Sequence, residues 1–397
     1  MVAAAVTGAL APAYVIRWHV GPIPTTLLEL SILVTVAVFA VETIRQRSTI
    51  VWRSPWRAPA ALLLLAAALS VVVSGDHRGA LGLYRAYFLE PAAYFFILSA
   101  AVSTARRAGT VLFGFALGGL VAAILNAAVV LQAIRHHVLD LATTPPVLIY
   151  QTANDVALYL VPLLAVAGAL LLYGTRRQER FASALFILIA LPAVILSFSR
   201  GGYLALAAVG LGLAASHRRA RLVIPAVVVA LLALSQLPLI RHRIAYELHP
   251  APGNTLDFRF RIWGQTLKLL SHHPVFGIGL SNYKQAMGPY WEDLPQVIYP
   301  HNIVLNFWAV TGLLGLLAFA WLTGVALVQG WKGWRRHPPD WRPYELGVVL
   351  FLIGMVAHGL VDVPFFKNDL SLEYWALLGL LWAAYRWAGP PAVEPTG

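Results

Sequence analysis

Apolar residues run in long blocks separated by short polar stretches, and this alternation continues from one end of the chain to the other. The blocks fall at 2–16, 25–44, 59–74, 80–103, 109–133 and 155–174, then at 181–198, 202–215, 222–240, 303–329, 344–361 and 372–388. Most are about 17–25 residues long, the length a helix needs to cross a bilayer core. No water is on hand in hydrocarbon to satisfy backbone N–H and C=O groups, so each block predicts a helix that bonds within itself. The blocks at 2–16 and 202–215 are short, which keeps about ten or eleven spans open as an alternative. The expected fold is all-α: a single polytopic integral membrane domain over 1–397 with about 12 transmembrane helices.

Composition agrees with the pattern. Hydrophobic residues make up 59% of the 397 and charged residues 12%, where a soluble domain would carry roughly 25% charged. The formal charge of +12 raises nucleic-acid binding as a question, but the cations do not gather into one patch. They punctuate the loops. Arg45, Arg47, Arg53 and Arg57 fall in one, Arg106 and Arg107 in another, and Arg176, Arg177 and Arg180 in a third. Arg218, Arg219 and Arg221, then Lys332, Arg335, Arg336 and Arg342, continue the series in every second loop. The intervening short loops hold only Arg17, Arg78, Arg135, Arg200 and Lys367. Such alternation is the positive-inside bias of a membrane protein, so no nucleic acid is expected as a partner, and both termini are expected in the cytoplasm. There is no cysteine, which excludes disulfides and thiolate-bound metals. Residues 1–16 lack a basic leading segment and read as a span, not a cleaved signal.

One connection stands apart. Residues 241–301 form a long segment on the expected outer (extracytoplasmic) face, rich in Pro and Gly, with Arg241, Arg243, Arg259, Arg261, Lys268 and Lys284. Its stretch 258–270 is amphipathic and predicts a short helix at the interface. Long loops of this kind are usually functional. A second polar outer segment runs over 134–154.

Four residues of the outer face are candidates for chemistry. Arg200, in Ser199-Arg200-Gly201-Gly202, is either a snorkelling arginine at a helical hairpin or a fixed cation facing a lipid phosphate. Arg259 and Arg261 offer rigid forks of donors suited to phosphate oxygens, or merely attract headgroups; Arg259 shares a helical face with Trp263. His301 follows Tyr299-Pro300 where the long segment re-enters the membrane, as a general base or as a cap beside Asn302. His272 and His273 read as solvated loop histidines, and Asp362 and Lys367, flanking Pro364, as parts of a structural loop. Arg85 and Glu90 lie five apart in an apolar block and count as candidates because ionisable groups in membranes are costly. No phosphate-binding glycine loop, metal-ligand cluster or G-x-S-x-G is present, so neither a metal nor a cofactor is expected.

Spacing carries more than any single residue. His301-Asn302, nine residues, then Gly312-x-x-Gly315 follows Arg259-x-x-x-Trp263 and Pro274-x-x-Gly277-x-Gly279. Ser199-Arg200-Gly201 precedes them, and Asn154-x-x-Ala157 opens a mid-chain span after Tyr150. This ordered set, over about 140–380, resembles the superfamily of O-antigen ligases and O-antigen polymerases, bacterial polytopic membrane glycosyltransferases. The resemblance implies a metal-independent, inverting transfer of a glycan from an undecaprenyl-diphosphate donor. The acceptor would be a hydroxyl of a glycan or a lipid-linked core, at the outer face of the bacterial cytoplasmic membrane. It implies that Arg200 and Arg259 hold the donor diphosphate, with Arg261 as a duplicate two residues on, and that His301 is the general base or orients the acceptor. A protein acceptor is disfavoured, because no large C-terminal soluble domain of the kind seen in many protein-glycosylating relatives follows the last block. Two rivals remain. A transporter or flippase for lipid-linked glycans would call for repeats and intramembrane carboxylates, and a peptidoglycan-type polymerase would use an outer-loop carboxylate, for which Asp257 is the candidate.

Overall fold

A computed structural model of the chain describes residues 1–21, 23–46, 54–139, 145–217 and 255–388, with the isolated positions 236 and 241. Among them the backbone is helical nearly throughout. Helix α1 spans Val2–Ala9 and is followed by a 3₁₀ turn, Ala11–Val15. The block at 2–16 therefore does not run as one helix, since Pro12 has no N–H to continue the ladder. Two short strands come next, β1 (Arg17–Val20) and β2 (Ile23–Thr26), paired antiparallel with Arg17 opposite Thr26. Helix α2 (Leu27–Gln46) opens on a capping box: Glu29 N–H donates to Thr26 Oγ1 and Thr26 N–H to Glu29 Oε2, both at 3.1 Å.

The chain continues through α3 (Arg57–Val73), α4 (His77–Tyr84), a π turn at Arg85–Leu89 and α5 (Glu90–Ala101). The π turn is where the expected helix 80–103 changes winding, because Pro91 cannot donate to the preceding turn. Then follow α6 (Ala105–Arg135), α7 (Ala153–Tyr173), α8 (Arg177–Leu196) and α9 (Arg200–Ser216). The block expected at 222–240 lies, apart from position 236, outside the described residues. Helix α10 (Thr255–His272) covers the amphipathic stretch, and α11 (Tyr283–Ala286) is one turn long. The long α12 (Ile303–Arg336), α13 (Arg342–Gly359) and α14 (Asn368–Trp387) complete the described chain.

Five described helices are long and apolar enough to cross a membrane: α2 over Leu27–Arg45, α6, α7, α8 and α12. At the centre stands α7, buried on all sides from Asp155 to Leu170. It packs against α13 and α8, while α14 packs on α5, α3 on α12 and α9 on α13. Phe307 and Phe319 of α12 stack at 4.0 Å between ring centroids, and Phe365, Phe366 and Tyr374 close round them. Arg85 lies between two acids, 2.7 Å from Glu29 and 3.2 Å from Glu90, and Glu29 also accepts from Asn368. Glu29 thus ties α2, the π turn and α14 together, and the Arg85–Glu90 pair adds the start of α5.

The glycine pattern around α12 has a structural cause. Gly312 has φ 70° and ψ 179°, a break inside α12. The segment 275–279 passes across this break: Ile278 N–H donates to Ala309 O at 2.7 Å and Leu313 N–H to Val275 O at 2.9 Å. A β-carbon at Gly312 would stand 2.6 Å from Val275 O, and one at Gly279 (φ 83°) 2.6 Å from the backbone of Ser74. Only glycine permits both the left-handed backbone and this approach. Trp308 Nε1 donates to Pro274 O at 2.7 Å and fastens the same clasp.

Candidate active site

Three helix ends and one loop meet above α7. At the start of α7, Asp155 and Thr152 form a capping box, which fixes Asn154 at the helix mouth. At the start of α12, Asn302 accepts from Val304 N–H at 3.0 Å and from Leu305 N–H at 3.1 Å. Its Nδ2 donates to Leu360 O at 3.1 Å, joining α12 to the loop after α13. Asn302 is therefore the cap, and His301, one residue before it, is left for other work. His301 has φ 51°, a left-handed backbone that histidine adopts more readily than most residues.

The loop after α13 presents Asp362. Its Oδ1 lies 3.3 Å from His301 Nδ1 and accepts from Val363 N–H at 2.9 Å. Its Oδ2 accepts from Asn154 Nδ2 at 3.0 Å. Asp362 is 3% exposed, while the His301 side chain is 22% exposed. Burial pushes the Asp362 carboxyl up, but the hydrogen bond with His301, with the charges of His301, His358 and Arg259, outweighs it and holds the group at about 2. It is a fixed anion. Held at Nδ1, the imidazole turns Nε2 outward. The rings of Tyr299 and Phe258 flank His301 at 4.8 and 6.1 Å.

Helix α10 brings Arg259. The helix packs on α12 and on the 3₁₀ turn at Gly288–Tyr290, and Trp263 Nε1 donates to Pro300 O at 2.9 Å, one residue before His301. Arg259 is 7% exposed, and its charge acts on both Asp362 and His358. Arg261 behaves differently. Two residues along a helix is a turn of about 200°, and it points to an exposed ion pair with Asp293. Arg259 and His301 are thus brought together, and Arg261 is not.

Arg200 arrives from the other side as the first residue of α9. Ser199 caps that helix, its Oγ accepting from Gly202 N–H at 3.1 Å. Gly201 lies against α13: a β-carbon there would be 2.6 Å from His358 Nε2. Gly202 presses on Ala157 of α7. The two glycines let α9 approach until Arg200 stands beside the His358 end of α13. Among the described residues no group of three or more His, Asp or Glu is placed to hold a metal ion.

Residues 182–320 match the family model described as O-Antigen ligase, a stretch that contains Arg200, Arg259, Arg261 and His301. A protein described as "O-antigen ligase" from Pseudomonas aeruginosa is 29% identical over 163 residues, 40% of this chain and 39% of that protein. Both matches support the O-antigen ligase superfamily. The match spans about two fifths of that relative's length.

Three polar residues join the site without standing out in the sequence. Asp362 lies 61 residues from His301 along the chain, and Asn154 lies 208 from Asp362. His358 is 2% exposed beneath them. The available signal was Asn154-x-x-Ala157, since both of its named residues make the contacts just described.

Proposed function

We propose that the chain is a metal-independent, inverting glycosyltransferase. It moves a glycan from an undecaprenyl-diphosphate donor to an acceptor hydroxyl at the outer face of the bacterial cytoplasmic membrane. The observation that carries this reading is the convergence of Arg200, Arg259 and the His301–Asp362 pair at one end of α7, inside or beside the matched region. His301 Nε2 takes the proton of the acceptor hydroxyl as its oxygen attacks the anomeric carbon from the face opposite the diphosphate. The carbon–oxygen bond to phosphate breaks, and its electron pair leaves on the diphosphate. Arg200 and Arg259 stabilise that charge, which grows as the bond breaks. Asp362 holds the imidazole in the useful tautomer and balances its positive charge after proton transfer. The donor's polyprenyl tail needs an apolar surface between helices, which a membrane domain supplies.

Lipid-linked glycans from a strain lacking the protein test the reading. Accumulation of full-length donor chains assigns a ligase, and accumulation of single repeats a polymerase. Donor confined to the inner leaflet would assign transport and overturn the transferase.

The proposal extends to topology: a single membrane domain over 1–397, about twelve spans, cytoplasmic termini and an outer segment at 241–301. The chain lacks cysteine, so single cysteines at Ser103, Ser216 and Gln285 give a direct measurement. Only Gln285→Cys should react with a membrane-impermeant thiol reagent in intact cells. Labelling at 103 or 216 would invert the orientation and remove the site from the outer face.

A further inference from the structure

A groove of about 650 Å³ opens at the end of the bundle opposite His301. Its place follows from the helix directions. Helices α7 and α13 touch the site at Asn154 and His358, and run from there to Leu170 and Tyr344, which line the groove. Twenty-one residues of α7 span roughly 31 Å, the thickness of a hydrocarbon core. The loop arginines 106, 107, 176, 177 and 180 gather at this end, so it is the face the charge alternation assigns to the cytoplasm.

The groove is amphipathic along its length. Phe113, Ala116, Leu163, Leu170 and Phe186 form apolar walls, and Arg106, Arg176, Glu179 and Tyr344 form the rim. Glu179 is already satisfied: Arg176 Nη1 lies 2.7 Å from its Oε1, and Tyr344 Oη donates to the same oxygen at 2.7 Å. Among the described residues Arg106 forms no ion pair, and it is exposed. The rim therefore has excess positive charge at headgroup depth, directly above an apolar cleft. Helices α6, α8 and α13 all begin here, so their N-terminal dipoles add to that field. Gly109 keeps the cleft open, since a β-carbon there would stand 2.8 Å from Tyr344 Oη and 3.0 Å from Glu179 Oε1.

We propose that this groove binds an anionic glycerophospholipid of the inner leaflet, its phosphate against Arg106 and Arg176 and one acyl chain along α6, α7 and α8. Charge at the rim selects the headgroup, and the cleft takes the chain. The inference does not use the transfer reaction and stands or falls apart from it.

Phosphatidylglycerol is the probe. The full chain, purified in detergent and stripped of lipid, is titrated with phosphatidylglycerol or phosphatidylcholine, and retained lipid is counted on the intact protein by mass spectrometry. Phosphatidylglycerol should be retained in preference. The double variant Arg106→Gln, Arg176→Gln should weaken that retention roughly tenfold or more, while Arg335→Gln, on the same face outside the groove, should not. Ala116→Trp, which fills the cleft and leaves the arginines in place, should also lose it. Equal retention of phosphatidylcholine, undiminished binding in both groove variants, or displacement by equimolar undecaprenyl phosphate would overturn the proposal. The last outcome would hand the groove to the donor's tail.

Discussion

Replacing His301 by alanine should reduce glycan transfer by about 10²-fold or more, with the protein still folded and inserted, because a positioned base contributes that much to such a step. Asparagine is the sharper variant. His301 has a left-handed backbone, which alanine adopts reluctantly and asparagine readily, so His301→Asn separates lost chemistry from added strain. Both should fail alike, and His272→Ala should remain near wild type, since His272 is exposed and bonds to Lys268 O and Tyr290. More than about a tenth of wild-type transfer in the asparagine variant would exclude His301 as a base. Asp362→Asn should be intermediate and act on kcat more than on KM. The sign of its pH dependence is fixed. A carboxyl lowered to about 2 is charged, and stabilising, above its ordinary value of ~4 and loses that contribution only as pH falls through about 2. Any acid limb of the wild-type pH profile near neutrality must then come from another group.

Arg200→Lys and Arg259→Lys should each lose most activity. Two phosphates need fixed positive partners in a low-dielectric setting, and a lysine supplies a point charge without the guanidinium fork. Arg259 is 7% exposed, so a shorter reach there has little room for correction. Arg261→Lys should retain most activity, because Arg261 faces Asp293 at the surface. EDTA should leave the wild type unchanged. Initial rates on a defined lipid-linked donor measure all four. Full activity in both buried or half-buried variants, or loss with EDTA, would refute the diphosphate clamp.

Much of the fold was legible as block length. Helices α2, α6, α7, α8 and α12 lie where the apolar blocks predict them, because lipid leaves a long apolar segment few other conformations. The β1–β2 hairpin was not legible. Arg17, Trp18 and His19 look like the polar flank of a span, and their pairing depends on the turn and on the Thr26–Glu29 box. The amphipathic helix at 258–270 was legible, but its packing on α12 was not, since an apolar stripe fits a lipid surface as well as a neighbouring helix. The site divides in the same way. His301 and Arg259 are marked by local spacing. Asp362 is a partner only through tertiary structure, and taken alone it reads as part of a loop between α13 and α14. Arg259 and Arg261 must face apart on a helix, but which one faces inward depends on where α10 docks.

The break at Gly312 sets a direction. Phe307 and Phe319 lie twelve residues apart on either side of it, a rise of ~18 Å on a straight helix, yet their rings stack at 4.0 Å. The two arms of α12 therefore fold towards each other and do not stand in line. Beyond the break, Leu313–Arg336 alone measures roughly 36 Å and suffices to cross ~30 Å of hydrocarbon. Before it, Ile303–Thr311 is a second arm about 13 Å long, clamped by the 275–279 strap and starting two residues after His301. On the transferase reading that arm carries the base off the axis of the crossing helix and across to Asp362. Lengthening it by one residue would shift His301 by ~1.5 Å along the arm and swing it by ~100°, away from Asp362 and from the bond to be broken.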